Sequence, residues 1–544
     1  MPASAPSSDR YDVVILGGAF SGGAAALLLR REQPQLRVLV VEKAEAFDSK
    51  VGEATTEMSA MFLTRRLALW QHLENEQLPK EGLRYWFSNE QVHGHADASE
   101  AGGFLRSAVP SFQLRRDAID EHILATAVGE GAELSRPTRA RDVVLGDFDH
   151  RVTLDQASGT RTVFCRWLLD ATGRTRLLSK QLGITSMEER HPIAAVWGRW
   201  KGVRHIDDLA ARSPSGLAAR NLSSRRLATN HYMGFGYWIW FIPLGNGETS
   251  VGIVFDKRIH SLHESRDREG DYLAFLKAIP ACAELIEGAT LRRDDLRSYA
   301  HLPYKSLQYM GRGWALLGDA ASFLDPYYSP GLDHASFTVE ATTEIIKRDV
   351  AGEDITAAVE EHNVTFVRSY ERFFQAAFED KYFYMGECDL LAASFLLDTA
   401  HYYVFVVIPA YRFLRRFYWM PVFGPRPAFF SYHLMRFYNR RFRNLALLRR
   451  AVGEAGLRNH GRRIKAYFNL NLSPFQMGLR GARLWMVAEA DGLRLALKRV
   501  LRGAPLVEPA PGRKAMADLA LSPQDPANFG SASHPAPPEH PDAA

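Results

Sequence analysis

Cysteine is scarce in this chain: 544 residues contain three, Cys165, Cys282 and Cys388. They are widely spaced, fit no metal-ligand pattern, and suit a reducing compartment, so a cytoplasmic location is expected. No run of about 18 apolar residues is free of charge. The nearest, Phe395 to Leu414, contains Asp398, His401, Pro409 and Arg412, which predicts a buried or interfacial helix rather than a membrane span. Met1 to Arg10 is short and largely polar and lacks the apolar centre of a secretory signal. The net charge is only +5, which gives no ground for a nucleic-acid partner, and no internal repeat occurs.

The length exceeds what one hydrophobic core supports, so two or three modules are expected. Composition is ordinary, with 46% hydrophobic and 24% charged residues. Val13 to Leu16 is a wholly apolar run that reads as a buried parallel strand. Ser21 to Arg31 reads as a helix and Arg37 to Val41 as a second strand, completing a βαβ unit. From Val196 to Phe255, aromatic and β-branched residues alternate, which predicts an antiparallel sheet. From about Glu340 the pattern is helical. Beyond Arg502 it is rich in Pro, Ala, Ser and Asp, a disordered composition.

The turn after the first strand reads Gly17-Gly18-Ala19-Phe20-Ser21-Gly22. It follows the G-x-G-x-x-G pattern except that Ala19 replaces the middle glycine, where backbone normally approaches a pyrophosphate. A tight turn at Gly17, close packing at Gly22 and a helix N-terminus for phosphates are retained. Glu42, 25 residues after Gly17, is spaced to accept from a ribose hydroxyl. An ordinary βα turn would also carry these glycines; the strand context and Glu42 favour dinucleotide binding.

Two later segments extend the pattern: Trp167 to Gly173, with Asp170 at a strand end, and Trp314 to Ala320, with Gly318 and Asp319 just beyond a strand. Together with the first turn they resemble the FAD domain of the aromatic-hydroxylase superfamily. The resemblance implies that Asp319 meets the ribityl or pyrophosphate region and that a helix starting near Ala320 points its dipole at the flavin. Glu42 then suits the adenosine ribose. No second glycine fingerprint occurs, so no dedicated NAD(P)H domain is expected.

Within that superfamily, Tyr11 to Ala335 resembles the flavin-dependent halogenases. Lys50-Val51-Gly52-Glu53-Ala54-Thr55 resembles their flavin-side loop, with Lys50, Gly52 and Glu53 implied at the cofactor. Leu78 to Gly82 resembles the segment of their catalytic lysine, which makes Lys80 the candidate. Trp238-Ile239-Trp240-Phe241-Ile242-Pro243 matches their W-x-W-x-I-P signature, whose tryptophans wall off the flavin. Arg116, with Arg115 as the alternative, resembles the arginine lying along the FAD. The implied chemistry is oxygen activation as a flavin hydroperoxide, its attack by halide, and hypohalous acid held or activated at Lys80 beside an aromatic ring. A depressed lysine pKa would help a haloamine route. Each residue also has a plainer reading. Lys80 stands among Glu74, Glu76 and Glu81, as a solvated lysine would, and Trp238 and Trp240 could simply pack one sheet face.

Asp325 to Gly331 resembles the family's halide loop, with Ser329, Pro330 and Gly331 as the halide candidates. Pro330 stands where many members have Ser or Thr and has no N–H, so one anion donor is missing. Tyr328 occupies the position of a glutamate in members acting on free tryptophan, which implies a phenol, pyrrole or carrier-tethered aromatic instead.

Between Arg412 and Lys465, fourteen Lys or Arg residues accompany one acid, Glu454, and aromatics from Phe413 through Phe417, Tyr418, Trp419 and Phe423 to Phe442 interleave. Three readings fit: a helical subdomain with solvated arginines, a docking face for an acidic carrier protein, or a peripheral contact with an anionic membrane. The expected architecture is α/β. A flexible N-terminus (1–10) precedes a Rossmann-like FAD-binding domain (11–195 and 301–350) with an inserted β-sheet substrate domain (196–300). A helical region (351–501) and a disordered tail (502–544) follow. The leading function is an FADH2- and O2-dependent halogenase served by a separate flavin reductase. A monooxygenase or dehydrogenase without halide, and a non-catalytic flavin-binding or carrier-docking protein, are the alternatives.

Overall fold

The run Val13–Leu16 has no polar side chain, so it belongs in a sheet covered on both faces. In the computed structural model it ends the strand Arg10–Leu16, and all four residues are buried. The structure describes residues 9–103, 109–212, 224–262, 266–413, 428–466 and 473–501. The expected disordered tail lies outside these, as do Phe417, Tyr418, Trp419 and Phe423.

Arg10–Leu16 pairs in parallel with Val38–Val41 on one side and Gly159–Asp170 on the other. Glu133–Ser135 and Trp314–Leu316 extend this parallel core outward. The register sets Leu16 opposite Asp170 and Asp170 opposite Leu316. The three glycine-bearing segments therefore end side by side, as a doubly wound dinucleotide fold requires.

A second, nine-stranded sheet contains the expected antiparallel strands Ile193–Lys201, Thr229–Gly234, Tyr237–Pro243 and Glu248–Asp256. It reaches beyond the boundaries 196–300. Leu83–Phe87 pairs in parallel with Thr229–Gly234, Ser99–Gly103 adds to it, and Arg463–Ala466 closes that edge. The domain boundaries read from sequence are corrected accordingly. Strand pairing between distant segments leaves no local pattern, so these strands could not be assigned in advance. Along Tyr237–Pro243 the side chains alternate as period 2 demands. Trp238 and Trp240 enter the core shared with the parallel sheet, whereas Ile239 and Phe241 enter the core on the opposite face.

The helix expected near Ala320 is not there. Gly318–Ala320 is a single 3-10 turn, and the helix begins at Gly331 and runs to Val350. Phe323 exchanges both backbone hydrogen bonds with Tyr304 (2.8 and 2.9 Å), which holds the chain extended. Pro326 then disfavours helix at Asp325. The helices Thr356–Phe373, Cys388–Tyr402, Phe429–Ala451 and Ser473–Leu501 follow. Cys388 to Tyr411 is long and apolar enough to cross a membrane, but most of it is buried in the core, in line with the expected buried helix.

Candidate active site

The glycines of the first turn are fixed by the close meeting of backbones. Gly17 has φ +96°, and a Cβ there would lie 2.5 Å from the Ala171 carbonyl oxygen. A Cβ on Gly22 would lie 1.8 Å from the Gly17 oxygen. Ala19 has φ −69° and ψ −163°, an extended conformation any residue adopts, so the backbone does not demand glycine there. Glu42 is buried. Its carboxylate accepts from the Gly18 amide (2.8 Å) and the Ala44 amide (2.9 Å), fastening the turn to the second strand. Gly318 meets the same junction, since a Cβ there would lie 2.7 Å from the Ser21 hydroxyl.

Lys50, Gly52 and Arg116 come together, as the resemblance implies. Arg116 clasps Asp120 (3.2 and 3.0 Å) and donates to the Val51 and Gly52 carbonyls (3.1 and 3.4 Å). Lys50 pairs with the same Asp120 at 2.8 Å. Burial raises the Asp319 carboxyl pKa, and Arg174, Arg116 and Lys50 oppose that shift. The first-turn amides of Phe20–Glu32 have no intrahelical partner. Donors of this kind with nearby cations fit a pyrophosphate, and Asp319 and Glu42 suit ribityl and ribose hydroxyls.

Two expected cofactor residues are used otherwise. The Asp170 carboxylate accepts from the Thr172 amide and hydroxyl (2.9 and 2.6 Å) and the Leu178 amide (2.7 Å), which braces the turn that carries Gly173. Glu53 turns away into the second sheet and pairs with buried Arg199 at 2.6 Å, which also holds Asp295 at 2.8 Å. A buried arginine requires a compensating carboxylate, and Glu53 supplies it.

A cavity of about 250 Å³ opens between the flavin-side loops and the C-terminal helices, lined by Lys80, Thr55, Asp319, Tyr328, Pro330 and Gly331 among others. Lys80 is 7% exposed and is no solvated surface lysine. Its backbone is pinned by the bond from its amide to the Ser111 carbonyl (2.8 Å), and its Nζ donates to the Thr55 carbonyl at 2.7 Å. Burial lowers its pKa to about 8 against the pull of Glu57 and Asp333.

Trp238 and Trp240 have ring centroids 5.7 Å apart, but neither borders the cavity. Tyr327 stands against Trp238, with centroids 5.4 Å apart. Trp238 donates its indole N–H to the Tyr382 hydroxyl (2.9 Å), which donates to Asp325 (2.9 Å). His191 lies 2.7 Å from the same Asp325 oxygen. Trp238 thus braces the Asp325–Gly331 loop from behind, while Trp240 packs against Trp238 and donates its indole N–H to the Ser250 hydroxyl (3.0 Å). Pro243 ends their strand.

In that loop Tyr328 and Ser329 have φ +70° and +56°. The Ser329 amide is already engaged by the Pro326 carbonyl at 2.9 Å, and Pro330 has none. Gly331 opens the helix, and a Cβ there would meet nothing within 4 Å. Of the expected halide donors, the Gly331 amide and the Ser329 hydroxyl remain as candidates.

The sequence reading missed the opposite wall. Asp333, in the first turn of Gly331–Val350, accepts from the Thr56 hydroxyl (2.5 Å) and the Ser59 amide (3.0 Å), and burial pushes its pKa up to about 6. Asp398 receives the Tyr328 hydroxyl (2.9 Å), the Tyr438 hydroxyl (2.5 Å) and the Lys381 Nζ (2.7 Å). Both aspartates border the cavity. The signal for Asp398 was a carboxylate within the apolar run Phe395 to Leu414; Asp333 left none.

The basic aromatic region is largely accounted for by packing. Tyr432, Tyr438 and Phe442 are buried, whereas Phe429, Phe430 and Phe437 are exposed. Its arginines find acids elsewhere in the chain: Arg443 pairs with Asp380, Arg449 with Asp389 and Glu387, and Arg441 with Glu489. Among the described residues, no group of three or more His, Cys, Asp or Glu could hold a metal ion.

Comparison with known proteins supports FAD as the cofactor. Residues 10–213 match the family model described as an FAD binding domain. The flavin-dependent halogenase chlA of Dictyostelium discoideum is 26% identical over 455 residues, 76% of this chain and 73% of its own length. The tetracycline 7-halogenase of Kitasatospora aureofaciens is 26% identical over 357 residues, 61% of this chain and 62% of its own. Among solved structures, halogenase PltM superposes with a TM-score of 0.67 at 18% identity, covering 88% of this chain and 96% of that one. The myxobacterial chondrochloren halogenase CndH gives 0.60 at 18%, covering 79% and 97%. Residues 10–213 thus carry an FAD binding domain, the chain is similar to flavin-dependent halogenases over most of its length, and it is an FAD-dependent oxidoreductase.

Proposed function

We propose that this enzyme halogenates an electron-rich small aromatic, a phenol, a pyrrole or a carrier-borne ring, using chloride or bromide, O2 and FADH2 delivered by a separate reductase. The observation that carries this reading is the buried Lys80 Nζ on the cavity that Asp319 and the Asp325–Gly331 loop also line. When bound, reduced FAD supplies with O2 the oxidising power that converts halide to hypohalous acid. Gly17, Gly18, Ala19, Ser21, Gly22, Glu42, Lys50, Gly52, Arg116, Gly173, Gly318 and Asp319 form its bed.

With a pKa of about 8, roughly one Lys80 in ten is a neutral amine at pH 7. That amine exchanges a proton for the halogen of hypohalous acid and releases water, leaving an N–halogen bond. The ring carbon then takes the halogen, the N–halogen bond breaks toward nitrogen, and the ring gives up a proton. The aromatic lining, with Tyr328, Phe395 and Phe373, suits a flat apolar ring.

A second reading is favoured by one observation. With the Ser329 amide engaged and Pro330 lacking N–H, the halide has few donors, as in a monooxygenase on the same scaffold. Turnover with reduced flavin and bromide or chloride, followed by mass spectrometry of the product, separates the two. A halogenated product supports the proposal; oxidised but halogen-free product overturns it.

A further inference from the structure

The helix Ser473–Leu501 has two apolar faces, and the fold uses one. Met477, Ala488 and Leu495 are buried, and Gly481 lets the helix Cys388–Tyr402 approach so closely that a Cβ there would meet Leu397 at 2.8 Å. At about 100° per residue, Phe475, Leu479, Met486, Leu493, Leu497 and Val500 all fall within about 60° of the opposite direction. Each is 62–74% exposed. This outer stripe runs about 38 Å along the helix. Scattered apolar residues on a surface need no explanation, but a continuous stripe of this length marks a contact.

Its flanks indicate the partner. Arg483, Arg494 and Lys498 border one side of the stripe. The two acids of the helix are turned inward to partners, Glu489 to Arg441 (2.6 Å) and Asp491 to Arg458 (2.5 Å). The helices Phe429–Ala451 and Ser473–Leu501 together carry eleven Lys or Arg against those two acids of their own, and part of that charge is met from elsewhere in the chain, with Arg494 and Lys498 both pairing with Glu454 at 2.9 Å. On the neighbouring helix, Phe430 and Phe437 are also exposed, and the Phe437 ring lies 5.9 Å from that of Trp485. An apolar stripe with a basic border is the chemistry of a helix lying in the headgroup layer of an anionic bilayer. In a pairing of two copies, the same basic flanks would repel.

We propose that the outer face of Ser473–Leu501 seats the enzyme on an anionic lipid surface. The test is flotation of the full chain with vesicles of phosphatidylcholine alone or mixed with phosphatidylglycerol. Expected is about tenfold more bound protein on the anionic vesicles, falling as salt rises. Leu479→Glu/Leu493→Glu/Leu497→Glu should abolish binding while thermal unfolding stays unchanged, since all three side chains face outward. Arg483→Glu should weaken binding to anionic vesicles alone. Absence of wild-type binding to either vesicle overturns the proposal, as does equal binding by the triple variant. So does light scattering that finds a dimer which the triple variant converts to monomer, because the stripe is then a seam between copies. None of these readouts depends on halogenation.

Discussion

Lys80 donates from Nζ to the carbonyl oxygen of Thr55 at 2.7 Å, so the ammonium is held against the loop that resembles the flavin-side segment. The bond satisfies one of three donors, and Lys80 and Thr55 both line the cavity. Burial lowers the pKa from 10.5 to about 8.

The depressed pKa has a stability signature. Below pH 8 Lys80 is charged in both folded and unfolded chains, and the burial penalty is fully present. Between pH 8 and 10.5 the folded chain releases its proton first, so stability is regained as pH rises. Measured against Lys80→Met by urea unfolding, the wild type should gain about 2.5 kcal/mol between pH 7 and 10. A flat difference would mean that the lysine is solvated. In activity, Lys80→Ala should abolish halogenation while reduced flavin still consumes O2, and single-turnover halogenation should rise through about pH 8.

Asp333 titrates in the opposite sense. Its pKa is raised from 3.8 to about 6, so the protonated form stabilises the fold below pH 3.8, and that contribution is lost as pH rises through 6. Asparagine keeps the acceptor for Thr56 and Ser59 but cannot ionise. The wild type should therefore lose about 2.4 kcal/mol relative to Asp333→Asn between pH 4 and 7. Removing this carboxylate also removes an attraction on Lys80, so the Lys80 pKa should fall further, read from the pH dependence of its acylation by an amine-reactive reagent.

How much of this was legible beforehand depended on how local each signal was. The first turn, Glu42 and the Asp319 strand end were readable because backbone conformation and strand burial impose them within a few residues. The alternation of Trp238 and Trp240 was readable from period 2, but what stands behind the indoles was not, because Tyr382 and Asp325 arrive from elsewhere in the chain. The partner of Glu53 was hidden for the same reason: Arg199 lies 146 positions away. Asp333 and Asp398 gain their roles only when the C-terminal helices close over the cavity.

The chain from Trp238 through Tyr382 to Asp325 should behave as one unit. Trp238→Phe keeps the ring but deletes the indole N–H and leaves the buried Tyr382 hydroxyl short of a donor, at about 1–3 kcal/mol. Tyr382→Phe removes both links. In a double-mutant cycle the two effects should fall short of additivity by about 0.5–3 kcal/mol. Full additivity would mean that Trp238 only packs the sheet. If it braces the loop, both variants should also waste more FADH2 per halogenated product, measured as peroxide released.

Pro330 gives the sharpest test of halide use. Every other residue type there would add a backbone N–H at the start of the helix Gly331–Val350, where the dipole already favours an anion. A hydrogen bond to a charged group is worth about 1.5–3 kcal/mol, so Pro330→Ser should lower the halide KM by about tenfold or more. Pro330 also lines the cavity, so the aromatic KM is the control, and it should change less than the halide KM. Proline also pre-sets the φ of −76° found there, so the variant should lose a fraction of a kcal/mol of stability through the unfolded chain. If bromide and chloride KM stay unchanged while the variant folds normally, the anion does not sit at this helix start, and halide must be bound elsewhere or not at all.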